Sequence, residues 1–209
     1  METLDLRQQL KYLYSPSQKK IEVVDVPAFN FVTIEGSIEP DQKVGTSPRF
    51  QEATQALYGM AYTLKFMLKK RKEQPVDFPV MALEGLWWVE DGQFDIQKPG
   101  NWKYQIMILQ PDLISQQLFT QALEQLRKKK PSLALERLRL EIIHEGLSIQ
   151  VLHVGPYANE PATIARMDAF AEEQGYLMHG KHHEIYLGNP LRADPAKLKT
   201  ILRHPVLQK

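Results

Sequence analysis

The sequence predicts an α+β fold in which two halves repeat the same order of elements. Segments rich in β-branched and aromatic residues, typical of strands, alternate with segments whose apolar residues recur at helical spacing. Gly and Pro mark the turns between them. In each half, a strand that ends in glycine is followed by a loop, an amphipathic helix and a short aromatic strand. We interpret this order as an internal duplication with little sequence identity between the halves.

The first half is predicted to read strand, helix, strand, strand. A short N-terminal helix precedes it and should end at the Ser15-Pro16 step, because the residue before a proline disfavours helix. Residues 21–34 predict a strand broken or bulged at Pro27, and residues 50–72 predict an amphipathic helix. Two further strands complete this half, at residues 80–89 and 102–109.

A second amphipathic helix, residues 112–130, links the halves and ends at Pro131. Asp194 before Pro195 has the pattern of a helix start, with Asp as the cap and Pro at the first helical position. We therefore expect a last helix that reaches Arg203. Between these two helices, the second half contains two strands joined by a glycine turn, a helix and a third strand, at residues 138–143, 147–154, 161–175 and 182–187.

Composition narrows the classes of function. The 209 residues are enough for one sizeable core, and 26 Lys and Arg against 25 Asp and Glu leave a net charge of +1, which provides no overall field for nucleic acid or membranes. The chain has no cysteine, which excludes a disulfide framework, a thiolate nucleophile and Cys-containing zinc sites. No segment has the pattern of a signal peptide or a membrane span. We expect a cytoplasmic protein that does not bind DNA directly.

The most informative segment for chemistry is the strand at residues 182–187. Side chains alternate along a strand, so His182, Glu184 and Tyr186 should share one face while Ile185 and Leu187 share the other. A carboxylate and a phenol then line one surface. The alternative is a solvated sheet face that carries ordinary polar residues.

Aromatic residues favour a binding pocket over a solvated face. All three tryptophans lie in one pair of adjacent predicted strands, and tyrosines lie on or beside predicted strands as well. Aromatic side chains in a sheet are more often part of a core than of a binding site, so no single one decides the question. Together with a carboxylate they indicate a pocket; the residues concerned are Trp87, Trp88, Trp102, Tyr104 and Tyr157.

Four separated segments resemble the stand-alone members of the GyrI-like, effector-binding-domain family. They occur in the family's order and cover nearly the whole chain. They are EGLWW at residues 84–88, ILQP at 108–111, VGPY at 154–157 with EPATI at 160–164, and KHHEIYL at 181–187 closed by LKT at 198–200.

The resemblance implies two pseudo-symmetric β-α-β-β repeats with a central ligand cleft. On this basis residues 1–209 form a single domain, with approximate repeats at 20–111 and 135–209 and a linking helix at 112–130. Many regulators of this superfamily also carry a helix-turn-helix module, for which this chain has no room.

The same resemblance implies that aromatic side chains sandwich flat, often cationic molecules around a buried glutamate, which here is Glu184. The expected function is therefore the binding and sequestration or sensing of apolar, planar small molecules. Cation-π contact and a desolvated carboxylate explain the preference for planar cations. The ligand-binding residues expected from the residues and the resemblance together are Glu184, Tyr186, Trp87, Trp88, Trp102, Tyr104, Tyr157, Met60 and His182.

Two further functions stay open. Some similar family members are hydrolases that open the cyclopropane ring of DNA-alkylating natural products. In that chemistry Glu184 would act as general base on water, and Tyr186 would donate a hydrogen bond to the carbonyl that gathers charge. The third alternative is a protein-interaction module. Whether Trp87 or Trp88 faces the cleft cannot be read from the strand alone.

Other chemistries are not supported by the sequence. His179, His182, His183 and Glu184 form a cluster, but the two adjacent histidines should point to opposite faces of a strand, so no metal site is expected. The chain contains no nucleophile elbow, Walker loop or dinucleotide fingerprint, and we expect no cofactor. Four further polar residues are expected at the surface or at a sheet edge: Asp25, Glu35, Glu141 and His153.

Overall fold

An antiparallel sheet flanked by helices organises the chain. The computed structural model describes residues 2–39, 41–92, 94–98, 100–190 and 192–209. Its strands are β1 (Glu2–Thr3), β2 (Glu22–Val26), β3 (Phe29–Ser37), β4 (Val76–Asp77), β5 (Leu83–Trp88), β6 (Lys103–Gln110), β7 (Arg139–Ile143), β8 (Gly146–Val154), β9 (Tyr176–Met178), β10 (His182–Tyr186) and β11 (Lys199–Gln208). Its helices are α1 (Leu6–Gln9), α2 (Lys11–Tyr14), α3 (Pro48–Lys69), α4 (Gln116–Lys129) and α5 (Glu160–Glu173).

The main sheet has the strand order β2-β8-β11-β10-β5-β6-β3-β7, with β9 pairing beside β11. Neighbouring strands in it are antiparallel, whereas β1 and β4 form a separate parallel pair. The strands β5 and β10 lie at the middle of this order. Each of them comes from a different half of the sequence, so the centre of the sheet is where the two halves meet.

The two halves also exchange their first strands. β2 pairs with β8, while β3, which directly follows β2, pairs with β7. Val26 pairs with Gly146 and Phe29 with Ile143, so one antiparallel register continues across the break at Pro27. Pro27 lacks a backbone N–H and interrupts this ladder, as the sequence predicts.

Helices α3 and α5 flank the middle of one face of the sheet. Ser47 caps α3 by accepting a hydrogen bond from the backbone N–H of Phe50, and Pro48 occupies the first turn. The buried side of α3 packs on β3 and β6, α5 packs on β8, and α4 packs on α3. No helix in the described part of the chain is long and apolar enough to cross a membrane.

The predicted α+β fold class is confirmed, and one predicted element is wrong. Asp194 and Pro195 start only a short 3₁₀ turn at Pro195–Lys197, where Asp194 accepts a hydrogen bond from the N–H of Ala196. The expected last helix is instead β11, which pairs with both β10 and β8. Its residues are buried on both faces, and a segment between two strands satisfies its backbone only by continuing the ladders. The added strand gives the second half the same β-α-β-β order as the first.

Candidate functional site

The candidate site lies on the central strand pair, between the first turns of α3 and α5. Strand register places Glu184 opposite Gly85, His182 opposite Trp87, and Tyr186 opposite Leu83. Because side chains alternate, the polar residues of β10 and the indole of Trp87 share the face that carries the two helices.

Glu184 is held from one side by His182. The side chain of Glu184 is only 9% exposed, and its Oε1 lies 3.1 Å from Nε2 of His182. The ring of His182 stacks on Phe94 with a centroid separation of 5.6 Å. An ionised carboxylate accepts hydrogen bonds only, so contact with ionised Glu184 requires the proton on Nε2 of His182.

The phenol of Tyr186 is held between the indole of Trp87 and the carboxylate of Glu184. The indole Nε1 of Trp87 donates a hydrogen bond of 3.0 Å to the phenol oxygen of Tyr186, which leaves the phenol proton for another acceptor. Desolvation, and then the charge of Glu184, raise the pKa of Tyr186 well above its ordinary value, so the phenol stays protonated at neutral pH. Part of the Tyr186 side chain remains exposed to solvent. It is therefore a hydrogen-bond donor that a ligand can reach.

Gly85 makes this arrangement possible. A Cβ atom built at Gly85 would lie 2.8 Å from Nε1 of Trp87 and 3.2 Å from the phenol oxygen of Tyr186. The first distance is shorter than real Cβ contacts allow. The two side chains can meet over this strand because residue 85 has none.

Aromatic rings form a continuous wall beside the polar residues. Trp87 stacks on Phe50 at 5.8 Å, and it contacts Tyr104 at 5.9 Å and Trp102 at 6.1 Å between centroids. On the other side of Tyr186, the ring of Tyr157 meets it edge-on at 5.9 Å. Desolvation, and then the charges of Glu160 and Glu184, raise the pKa of Tyr157 to about 12. An apolar surface with a few fixed polar groups is typical of small-molecule sites.

Sequence reasoning missed Glu160, the first residue of α5. It is fully buried, and within the described residues neither of its carboxylate oxygens has a hydrogen-bond partner. Burial, and then the charge of Glu184, raise the pKa of Glu160 to about 9, which the nearby Thr200 hydroxyl opposes only in part. The buried Thr200 oxygen also lacks a hydrogen bond of normal geometry in the same part of the chain. Thr200 pairs with Tyr186 across β11 and β10, so these unsatisfied groups border the site.

A second buried polar cluster occupies the opposite face of the same two strands. His183 lies between two carboxylates, with Nε2 3.0 Å from Glu84 and Nδ1 2.9 Å from Glu145. Tyr14 donates a 2.6 Å hydrogen bond to the other oxygen of Glu84, and Arg203 donates one of 3.1 Å to Glu145. We call these five residues the inner network.

The charges of the inner network stabilise one another. Burial opposes the charged form of His183, but Glu145 and Glu84 outweigh it and raise its pKa to about 9. Burial likewise opposes the charged form of Glu145, but His183 and Arg203 lower its pKa to about 2. The guanidinium of Arg203 has further partners in Gln150 and the carbonyl oxygen of Leu13. This network therefore joins the N-terminal helices to the back of the central strands.

Comparison with known proteins places this geometry in a family. The family model for the GyrI-like small molecule binding domain matches residues 19–206. The chain belongs to the GyrI-like family. A conserved protein of Listeria innocua without an assigned function is 38% identical to it, over 98% of this chain and 100% of the other, with a TM-score of 0.87. No curated protein matches the chain.

Two further structures from Listeria innocua are similar to this GyrI-like chain, and both are described as hydrolases. One is 36% identical over 98% of this chain and 100% of its own, with a TM-score of 0.82. The other is 37% identical over 99% and 100%, with a TM-score of 0.85. The C-terminal domain of EcmrR, at 12% identity and a TM-score of 0.54, shares the fold.

The residues expected from the sequence to bind a ligand do not all lie on the same face of the sheet. Trp87 lies on the face of Glu184, and Trp88 lies on the other face, where Lys181 Nζ sits 3.5 Å from its ring centroid. Met60 is fully buried in the core of this GyrI-like fold rather than exposed toward the central strands. The face that bears Glu184 brings together His182, Tyr186, Trp87, Trp102, Tyr104 and Tyr157.

The expected surface position of His153 is wrong. It is 5% exposed, because β8 lies between β2 and β11 and α5 covers its face. Its Nδ1 lies 2.9 Å from the hydroxyl of Thr163 on α5. Of the other polar residues expected at the surface, Glu141 accepts hydrogen bonds from Thr33 and Gln105. Within the described ranges, no group of three or more His, Asp and Glu is arranged to hold a metal ion.

Proposed function

We propose that this GyrI-like chain hydrolyses an apolar, planar electrophile bound on the Glu184 face. The observation that carries the proposal is the pairing of a nearly buried carboxylate with a phenol that hydrogen-bonds toward it and whose oxygen is held by the N–H of Trp87. One group can remove a proton from water while the other stabilises charge on the substrate. The two similar Listeria innocua proteins described as hydrolases support the same reaction class.

Glu184 would act as the general base. Its Oε1 lies within hydrogen-bonding distance of His182, which orients the carboxylate to accept a proton from a bound water. Burial of the carboxylate among aromatic rings strengthens this interaction, since charges act more strongly in a medium of low dielectric constant. Water activated at this position is the nucleophile.

Tyr186 would stabilise the oxygen on which charge develops. The N–H of Trp87 already donates to the phenol oxygen, so the phenol proton points away from that contact and can be donated to a carbonyl. A donor fixed before the reaction costs no reorganisation in the transition state. The aromatic wall would hold the flat part of the substrate beside this donor.

A strained ring conjugated to a carbonyl suits these groups, and it is the substrate class that the family resemblance implies. Water forms a bond to one cyclopropane carbon while the ring C–C bond breaks and its electron pair moves toward the carbonyl oxygen. Glu184 takes one proton from the water, and a proton is returned to the substrate. The net reaction adds one molecule of water, and no redox cofactor is needed.

The proposal is tested by turnover of a cyclopropane-bearing alkylator in ¹⁸O-labelled water. We expect a ring-opened alcohol that carries the label, over many turnovers. General-base assistance is worth about 100-fold to 10,000-fold, so Glu184→Gln should lower kcat by that order while the substrate still binds. Tyr186→Phe should lower kcat by less. The exposed helix variant Glu173→Gln is the control and should match the wild type.

Binding without labelled product would remove the hydrolase proposal.

The second candidate, sequestration of planar cations, would then remain, and it is favoured by the carboxylate of Glu184 beside the rings of Trp87 and Tyr157. A planar cationic dye should quench Trp fluorescence with affinity of roughly micromolar order, or about −8 kcal/mol. Glu184→Gln should weaken cationic dyes more than neutral ones of the same shape. Equal losses for both would show that the carboxylate does not contact the ligand.

Small molecules in the cytoplasm are the partners that this proposal requires. The chain lacks cysteine, as is common in reducing compartments. Its net charge of +1 offers no long-range attraction for DNA. A gel-shift assay with duplex DNA at low salt should therefore show no retardation.

A further inference from the structure

We propose that Glu160 is the general acid of the site and that, with Thr200, it forms a polar subsite for the substrate oxygen that gathers charge. The inference rests on the proposed hydrolase function and assigns the proton that this reaction must return to the substrate. It gives the second carboxyl group of the site a chemical role different from that of Glu184.

Unsatisfied hydrogen-bonding groups carry the inference. Both carboxylate oxygens of Glu160 and the hydroxyl of Thr200 are buried without a hydrogen bond among the residues described. Such a group costs about 1–3 kcal/mol, and buried polar groups in native proteins are nearly always paired. Two such groups beside Tyr186, with three unsatisfied oxygen atoms between them, indicate a position that a polar part of a ligand fills. Thr200 lies on β11 and its hydroxyl acts on the carboxyl group of Glu160 on α5, so the unsatisfied atoms of the two residues border one position.

The carboxyl pair can hold one proton, and that proton belongs on Glu160. Two carboxylates that interact at close range cannot both be ionised without a large electrostatic cost. Glu184 has a hydrogen bond from His182 that stabilises its charge, whereas Glu160 is fully buried and, within the described residues, has no hydrogen bond of normal geometry. The raised pKa of Glu160, about 9, agrees with this assignment.

Among the residues that the structure describes, none is found to place a positive charge against Glu160. The titratable groups that affect it or face it are Glu184 and Tyr186 on β10 and Tyr157 on the turn before α5. The ring of His153 on β8 is hydrogen-bonded to the hydroxyl of Thr163, which lies farther along α5 than Glu160. The N-terminus of α5 does favour a negative charge at its first residue. Burial and Glu184 outweigh that contribution.

The two carboxyl groups then complete a balanced reaction. Glu184 accepts a proton from water as the C–O bond forms and the ring C–C bond breaks, and Glu160 donates its proton to the carbonyl oxygen while Tyr186 and Thr200 hold that oxygen. The product leaves with one added water. Transfer of the proton from Glu184 to Glu160 restores the starting state.

The test is the pH dependence of kcat in the wild type and in Glu160→Gln. We expect a wild-type rate that falls as pH rises through about 9. Glu160→Gln keeps the shape and removes the acid, so it should lower kcat by about 100-fold to 10,000-fold, leave KM nearly unchanged and lose the alkaline limb. Thr200→Val should lower kcat by less, and Glu173→Gln should keep the wild-type rate and profile.

A second measurement does not depend on turnover. Infrared difference spectroscopy of the ligand-free protein should show one protonated carboxyl group at pH 7 that is absent in Glu160→Gln and present in Glu173→Gln. Absence of this band in the wild type, or an alkaline limb that persists in Glu160→Gln, would overturn the proposal for Glu160. A wild type that shows the band but no turnover would overturn the hydrolase function and remove the acid role with it, while Glu160 would still stand as a buried acid in a ligand subsite.

Discussion

The two faces of the central strand pair differ in how many hydrogen-bond partners their buried charged residues have. On one face the inner network surrounds His183 with Glu84 and Glu145, and each of these carboxylates has a further donor in Tyr14 or Arg203. On the other face, Glu184 is held by His182 and Tyr186, and among the residues the structure describes neither oxygen of Glu160 has a hydrogen bond of normal geometry. Adjacent residues of β10 thus belong to two different environments.

This difference in hydrogen bonding distinguishes charged groups that stabilise the fold from groups that remain able to react. A buried ion pair with all its donors and acceptors occupied favours one arrangement and leaves nothing to react. A buried carboxyl without partners is costly in the free protein and persists where a ligand meets it. Comparing satisfied and unsatisfied polar groups therefore indicates a candidate site more sharply than residue type does.

The largest expected effect is on stability at alkaline pH. Replacing a carboxyl group should stabilise the protein at Glu160, whereas it should destabilise the protein in the inner network. The pKa of Glu160 is raised from 4.5 to about 9 by folding, so its contribution to stability is present below pH 4.5 and is lost as pH rises toward 9. Glu160→Gln should thus raise the Tm relative to the wild type by an amount that grows between pH 5 and pH 9. Each unit of pKa shift is worth about 1.4 kcal/mol.

Scanning calorimetry at several pH values measures this effect. Glu173→Gln, on the exposed side of the same helix, should follow the wild type at every pH. A Glu160→Gln protein that is less stable than the wild type at pH 8 would show that the carboxylate is ionised and stabilised in the fold.

Breaking the inner network should destabilise the protein. Glu145→Gln keeps the shape but leaves His183 and Arg203 without their shared negative partner, and removing one partner of a buried pair costs about 3–5 kcal/mol. Urea unfolding at pH 6 should show this loss. Below pH 4.5 the difference should narrow, because the wild-type Glu145 loses its contribution as pH falls toward its folded pKa of about 2.

An exposed ion pair provides the matched control. Arg127 and Glu136 are joined by two hydrogen bonds, yet their side chains are 43% and 60% exposed. Glu136→Gln should cost less than about 1 kcal/mol. Equal losses for Glu145→Gln and Glu136→Gln would contradict the structural role assigned to the inner network.

Of the three substitutions at buried positions, the smallest effect on stability is expected at Gly85. A methyl group in Gly85→Ala would meet the indole nitrogen of Trp87, and such overpacking costs about 1–3 kcal/mol. The hydrogen bond from Trp87 to Tyr186 should be lost, so the decrease in kcat or ligand affinity should exceed the decrease in stability. Gly45→Ala, where an added Cβ meets nothing within 4 Å, is the control. Unchanged activity in Gly85→Ala would show that this hydrogen bond is not needed.

Local patterns predicted most of the fold. Helical periodicity gave α3, α4 and α5 within a few residues, and the break at Pro27 follows from its missing N–H. The pattern misled at Asp194 and Pro195, since an Asp cap and a following proline start a 3₁₀ turn as readily as an α-helix. The strand after it carries Ile201 and Leu202 on opposite faces, and both residues are buried. The capping pattern at Asp194 and Pro195 gives no information about this burial on both faces.

The candidate site could be predicted only in part from the sequence. Which tryptophan faces Glu184 depends on strand register, and which acidic residue is buried depends on tertiary packing. Alternation placed Glu184 and Tyr186 on one face, but the choice between Trp87 and Trp88 depends on how β5 pairs with β10. Glu160 has the pattern of an ordinary acidic residue in the first turn of a helix, and only the packed structure shows that it is buried. The inner network joins residues far apart in the chain, which no local pattern can indicate.

The exchange of first strands between the halves also shapes how the chain folds. Glu22 pairs with Gln150 and Thr33 with Arg139, so these ladders close only after most of the sequence has been synthesised. Pairing at such long range slows folding, because the loop entropy is lost before the contacts form. A fragment that ends before β7 would leave β2 and one edge of β3 unpaired, and unpaired strand edges attract other strands. Truncated chains should therefore associate through swapped strands, whereas the 209-residue chain pairs β2 with β8 and β3 with both β6 and β7.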